Sequence, residues 1–542
     1  MGSRAIMMTA LVGLALVALH GVQALDSCAG GPPQDNLGSV TFPTSGSPEA
    51  QRHFLRGVGA MHSFWYEEAL DAFRAATAAQ PDFLMGYWGE AMTYNHPVWR
   101  EQDTEAARAA LAKAKDTSAL TPREQAYLRA VQVLYGEGDK AARDQSYALV
   151  MEQLYRDYPE DLEAACFYAL ALLGTVPPVD AGDRRGIRAG AITLEVFRKN
   201  PNHPCGAHYT IHAFDHPDLA ILALPAARRY AEIAPAAHHA QHMPAHIFVQ
   251  LGMWSEAAAR NEAGWANSVK WVERKGLALN HRDYHSLHWL LYVYLQQGRY
   301  RKAAEALALK QADLRSAARR KPAKAPAPGW EVHRFYPDMA AAWVVETEQW
   351  DAVSALWDVP DAIPNDSAKA VSLFVRGLAS AARGRSDAEP MLVALQALRK
   401  PDADPRDNRS AEVFDVWALE LRAAIEAAGH QYDQAVATMK EAVALEEALP
   451  PPSGPPAVIK PTHEQFGEIL LRAGRPKEAA QQFAVSLERH PKRARSLLGA
   501  ARAATQSGDP QGAAKLYALL RELWVQADQD LAEWQEIRVG EQ

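Results

Sequence analysis

Two stretches far apart in this chain carry the same spacing of small, aromatic and proline residues. In GVGAMHSFWYEEALDAFRAATAAQP, Gly57, Ala69, Phe73, Ala76 and Pro81 stand at set offsets. GEILLRAGRPKEAAQQFAVSLERHP repeats nearly the same offsets with Gly467, Gly474, Ala479, Phe483 and Pro491. The small residues let two antiparallel helices approach closely, the aromatic fills the space between repeats, and the proline stops the second helix. Elsewhere apolar residues recur at three- and four-residue spacing between short polar turns, and no stretch alternates as a strand would. A chain of 542 residues is far longer than one compact core needs. The repetition resolves that length into an array.

The pattern resembles the tetratricopeptide repeat, a family of helix–turn–helix units of about 34 residues. GDPQGAAKLYALLRELW fits as a further unit through Gly508, Ala513 and Tyr517. First helices are predicted to start near residues 48, 82, 121, 160, 204, 236, 279, 330, 366, 408, 460 and 491. The resemblance implies an all-α fold, an α-solenoid of about twelve antiparallel helix pairs with a concave groove. The uneven spacing departs from the family's uniform superhelix. The division along the chain is a signal peptide (1–24), an N-terminal extension (25–47) and a first array with a histidine-rich groove (48–318). A proline-rich linker (319–330), a middle array (331–448), a second proline-rich linker (449–460) and C-terminal repeats (461–542) follow.

Arg4, the apolar run Ala5 to Leu19 and GVQALDS, with Val22 and Ala24 at the small-residue positions, read as an export signal cleaved after Ala24. The Ala/Arg-rich composition suggests a bacterium, so the expected location is periplasmic or secreted. Cys28 in LDSC raises a lipoprotein alternative, against which Asp26 counts. No later apolar run is long enough to span a bilayer. A net charge of −8 offers no basic stripe for nucleic acid. Three cysteines make no disulfide framework, and Cys166 is expected in the core. The oligomeric state is not set by the sequence.

Of nineteen histidines, eleven fall between His203 and His288. They form three groups at helical spacing: His208, His212 and His216; His238, His239, His242 and His246; His281, His285 and His288. Residues three or four apart share a helix face. In the family that the repeats resemble, first helices line the concave surface through set repeat positions. That register places His208, His212, His216, His239, His242, His246, His285 and His288, with Cys205, in the groove. Neighbouring helices pack about 10 Å apart, so imidazoles from two or three of them can converge. Pro244 is expected to start its helix near Gln241 to Met243, leaving His238 and His239 in the preceding turn. Pro217 is expected to end its helix at about His216. Asn280, with Asp283 as a polar third residue, reads as an N-cap that puts His281 at a helix start. The centre of the predicted site is therefore His208, His212, His242, His246 and His285.

Converging imidazoles suit copper or zinc. Asp215, Asp218, Asp283, Tyr209 and Tyr284 would ligate or orient, and Met243 and Cys205 would favour copper. His62 and His96 either extend the groove or edge the core. The sequence holds no nucleophile elbow, phosphate loop, dinucleotide fingerprint or H-E-x-x-H. Three functions follow as expectations: an exported solenoid that binds copper or zinc, a metal-free scaffold for a protein or peptide, or a metal-dependent enzyme, hydrolase or copper oxidase, using the same histidines.

Overall fold

The computed structural model describes residues 36–115, 117–176, 184–319, 332–359, 362–399, 411–451 and 453–539. The export signal, Cys28 and the linker 319–330 apart from its first residue lie outside these. The chain is an α-solenoid. First helices begin at Pro48, Leu84, Pro122, Leu162, Pro204, His238, Tyr284, Tyr336, Asp366, Ala411, Thr462 and Ala494. Eleven of them pack against the helix that follows, while Tyr336–Thr347 is followed by the short Val353–Leu356 and packs between Tyr300–Arg319 and Asp366–Ala382. A two-residue hairpin pairs Asn95–His96 with Glu101–Gln102. No helix among these residues is long and apolar enough to cross a membrane.

The repeat spacing has the steric meaning expected of it. Phe73 lies between Gly57 of its own pair and Gly89 of the next, where an added Cβ would come within 2.7 Å and 2.3 Å of its ring. Phe483 sits between Gly467 and Gly499 at the same two distances. Polar caps start many helices: Asp161 accepts from the Glu163 amide, Asn365 from Ala368, and Thr121 with Glu124 forms a capping box.

From Gly454 on, the proline-rich stretch 449–460 packs into the core. Trp289 packs on Gly454, the Trp417 indole donates to the Val458 carbonyl at 2.8 Å, and Val458 and Ile459 are buried. The C-terminal pairs then turn back onto the helix Tyr284–Gln296. Arg493, wholly buried, makes a bidentate contact with Glu464 at 2.8 and 2.9 Å, bonds Glu346, and donates to the Tyr292 hydroxyl at 3.1 Å. The Trp524 indole donates to the Gln296 carbonyl at 3.1 Å. At the other end, the Trp271 indole donates to Glu68 at 2.9 Å, joining the long helix Trp254–Lys275 to the first pair. The array is thus held from both sides around its histidine-bearing middle.

Three local expectations are corrected. Residues His238–His242 are helical, and Met243 carries the helical backbone on into Pro244–Gln250 (φ −53°, ψ −35°). Proline fits there because it heads a new hydrogen-bonded segment, so His239 is not left in a turn. The helix from Pro204 ends at Ala213, before His216. Asp283, not Asn280, caps the helix Tyr284–Gln296, its carboxylate accepting from the Ser286 amide at 3.0 Å. His281 falls in the preceding short 3₁₀ turn. A further finding concerns the cysteines. Cys166 and Cys205 form one disulfide, with Cα atoms 6.0 Å apart, which removes Cys205 as a soft metal ligand.

Candidate metal centre

Six of the predicted histidines gather into two sets of three, His208–His212–His239 and His242–His246–His285. Helical spacing supplies most of this. His208 and His212 are one turn apart on Pro204–Ala213, His242 and His246 one turn apart across Met243, and His285 enters from the second residue of Tyr284–Gln296. His239, one turn before His242, faces the other set. Gly264 lets the helix Trp254–Lys275 pass close behind: a Cβ there would lie 3.2 Å from the His242 Cβ.

In the first set, the Nε2 atoms of His212 and His239 each lie 3.1 Å from His208 Nε2. His208 donates its Nδ1 proton to the His62 carbonyl at 2.6 Å, so its Nε2 carries a lone pair. One in-plane lone pair cannot accept well from two N–H groups at once. In the second set, His242 and His246 bring their Nε2 atoms to 3.0 Å. His246 donates Nδ1–H to Asp215 at 2.7 Å. His242 donates Nδ1–H to the Asn261 amide oxygen at 2.6 Å, and that amide is oriented by its own nitrogen donating to the Ala257 carbonyl at 2.9 Å. The His242 Nε2 lone pair is therefore aimed at His246 Nε2.

Burial, followed by the neighbouring imidazoles, disfavours the charged forms. It lowers His212 to about 3 and His242 to about 4, and pushes His208, His239 and His285 well below the usual range. Burial works the other way on Asp283, but the hydrogen bond from His238 and the attraction of that imidazole outweigh it and hold the carboxyl well down.

The six histidines are unequally covered, with His212, His239, His246 and His285 half-buried. His208 and His242 are fully buried beneath aromatic rings. Phe64 lies 4.4 Å from His208 and 5.3 Å from His212, centroid to centroid, and Trp99 lies 5.9 Å from His239. Trp289 lies 4.1 Å from His246, and Phe335 5.5 Å from His285. Phe64 and Phe335 both adopt left-handed backbone, φ 51° and 69°, which costs about 1–3 kcal/mol each unless the surroundings require it. Phe64 occupies the turn slot that Gly474 fills in the matching repeat, and that exchange was the available sequence signal for the cover. Asn261 and the His62 carbonyl were also missed. No spacing marks an amide on the next helix or a backbone oxygen from the first pair.

His216 and His288 stay outside both sets. His216 lies beyond its helix end and accepts from the Asp218 amide at 3.2 Å, and His288, past His285, stacks on Phe335 at 5.3 Å. Asp215 orients His246, Tyr209 bonds His62 at 2.9 Å, and the Tyr284 hydroxyl donates to Asp313 at 2.9 Å. His62 and His203 both bond Glu163, at 2.6 and 2.9 Å, beside the disulfide. With Cys166 oxidised, this buried group is a brace that fixes the carbonyl holding His208. His96 bonds Glu101 at 3.2 Å near the cover.

No protein-family model matches the sequence, and no curated protein matches it. Among solved structures, the human IFIT1 dimer with m7Gppp-AAAA is 15% identical over 90% of this chain and 92% of its own, with a TM-score of 0.36. The P58(IPK) TPR domain is 13% identical over 91% and 96%, with a TM-score of 0.22.

Proposed function

We propose that this chain is an exported helical-repeat protein that binds transition-metal ions, copper or zinc, in its two three-histidine sets. The contact between His242 and His246 carries the proposal. With both Nδ1 atoms engaged by Asn261 and Asp215, the two Nε2 atoms converge at 3.0 Å, where one cation would be held by both. Tetrahedral ligation at a metal–nitrogen distance of about 2.0–2.1 Å places nitrogens about 3.3 Å apart, close to the contacts in both sets. Asp215, Asn261 and the His62 carbonyl are then the outer partners that metal-bound histidines characteristically hold. The disulfide supports export to an oxidising compartment.

Elemental analysis of untagged protein purified without chelator tests this. Two equivalents of copper or zinc are expected, and His242→Ala with His246→Ala should remove one while helical circular dichroism is unchanged. Protein that holds no metal, even after loading and dialysis, would sink the proposal. A subtler variant separates orientation from ligation. Asp215→Ala keeps all six imidazoles but frees the His246 tautomer, and should weaken metal binding about 10–100-fold in competition with a chromogenic chelator. An unchanged affinity would mean that His246 is not a ligand.

A further inference from the structure

Resting on that metal-binding reading, we infer that the two histidine sets form one coupled dicopper centre that binds dioxygen between its ions. The sets are contiguous. His239 and His242 lie on one helical turn with ring centroids 6.3 Å apart, and Asp215, three residues beyond His212 of one set, holds His246 of the other. Each set offers three neutral nitrogens, which leaves an ion a position open to an exogenous ligand. Thiolate from Cys166 or Cys205 is excluded, since they are joined to each other.

Charge selects the ion. Two carboxylates lie beside the six imidazoles: Asp215 on His246, and Asp283, which bonds the neighbouring His238 at the start of the helix that bears His285. Two Cu(I) ions bring two positive charges, which the two carboxylates balance in a partly buried site. Two dications without a bridging anion would leave an excess that burial penalises. Binding of dioxygen preserves the balance. Each Cu(I) gives one electron and becomes Cu(II), and the O–O unit takes both electrons and becomes a bridging peroxide. No proton or leaving group is involved, the O–O bond is retained as a single bond, and the reverse step releases dioxygen. The cover of Phe64, Trp99, Trp289 and Phe335 suits a small apolar diatomic. Trp99, 37% exposed, marks the way in from solvent.

The test is anaerobic loading of the full-length apoprotein with a Cu(I)–acetonitrile salt, followed by dioxygen. Two coppers per chain, uptake of one dioxygen per copper pair, an intense near-ultraviolet charge-transfer band and a silent electron paramagnetic resonance spectrum are expected. His242→Ala with His246→Ala should keep one copper and lose the uptake. Two bound coppers that oxidise to a signal integrating to two isolated Cu(II) ions, without the band, would overturn the coupled centre and leave metal binding standing. So would zinc retained against excess copper. Failure to bind any metal would remove both proposals.

Discussion

Replacing Arg493 with Met is expected to destabilise the protein by about 3–5 kcal/mol, read as the urea midpoint of the transition that reports the C-terminal pairs. The guanidinium is wholly buried between Glu464 and Glu346, and its removal strands two carboxylates in the interior. Burial pushes Glu464 up, but Arg493 and Lys460 outweigh it and hold the carboxyl at about 2. Burial also raises Glu346, where Arg493 offsets it only in part. The sign follows from Glu464. A folded value below the ordinary 4.5 adds stability above pH 4.5, lost as pH falls through about 2. Without Arg493 both carboxyls rise, and their cost is greatest at neutral pH. The deficit of the variant should therefore shrink on acidification. Adding Glu464→Gln and Glu346→Gln should recover most of the loss, because neutral amides tolerate burial that carboxylates do not. A loss under 1 kcal/mol with no pH dependence would mean that the guanidinium is replaceable by water.

The elements that could be read from the sequence are those whose causes are local. A glycine opposite a phenylalanine, a capping aspartate and a stopping proline act within one helix pair. First helices near 48, 121, 160, 204 and 236 accordingly begin at Pro48, Pro122, Leu162, Pro204 and His238. His208 with His212 and His242 with His246 were legible as pairs for the same reason. The division into two sets was not. It depends on His239 facing across to Pro204–Ala213, which the helical path through Met243 permits. The burial of the site was equally hidden. A groove seen as repeats alone is open, and here Phe64 from the first turn and Phe335 at the start of Tyr336–Thr347 pack over part of it. Arg493 binding Glu346, and Cys166 joining Cys205, likewise follow from how distant helices meet rather than from any spacing along the chain.

The disulfide leads to the second large effect. Cys166 lies on Leu162–Gly174 and Cys205 in the first turn of Pro204–Ala213, 39 residues further on. On the chain-entropy account, a closed loop of this size is worth about 4 kcal/mol. Cys166→Ala with Cys205→Ala should forfeit most of it. In a repeat array stability is a sum of neighbour terms, so the loss should be local. Hydrogen exchange should accelerate in Leu162–Gly174 and Pro204–Ala213 and stay slow in the C-terminal pairs. The consequence for the site is unequal. His208 and His212 ride on the helix that the disulfide pins, and the His62 carbonyl that orients His208 is fixed by Glu163 on the other bridged helix. His242 and His246 take their orientation from Asn261 and Asp215 instead. The first set should therefore lose metal affinity by more than the second, measured as two separable steps in a copper titration where the parent shows none. Equal weakening of both steps would mean that the bridge acts on the whole array, and the brace of His62, Glu163 and His203 would then be packing alone.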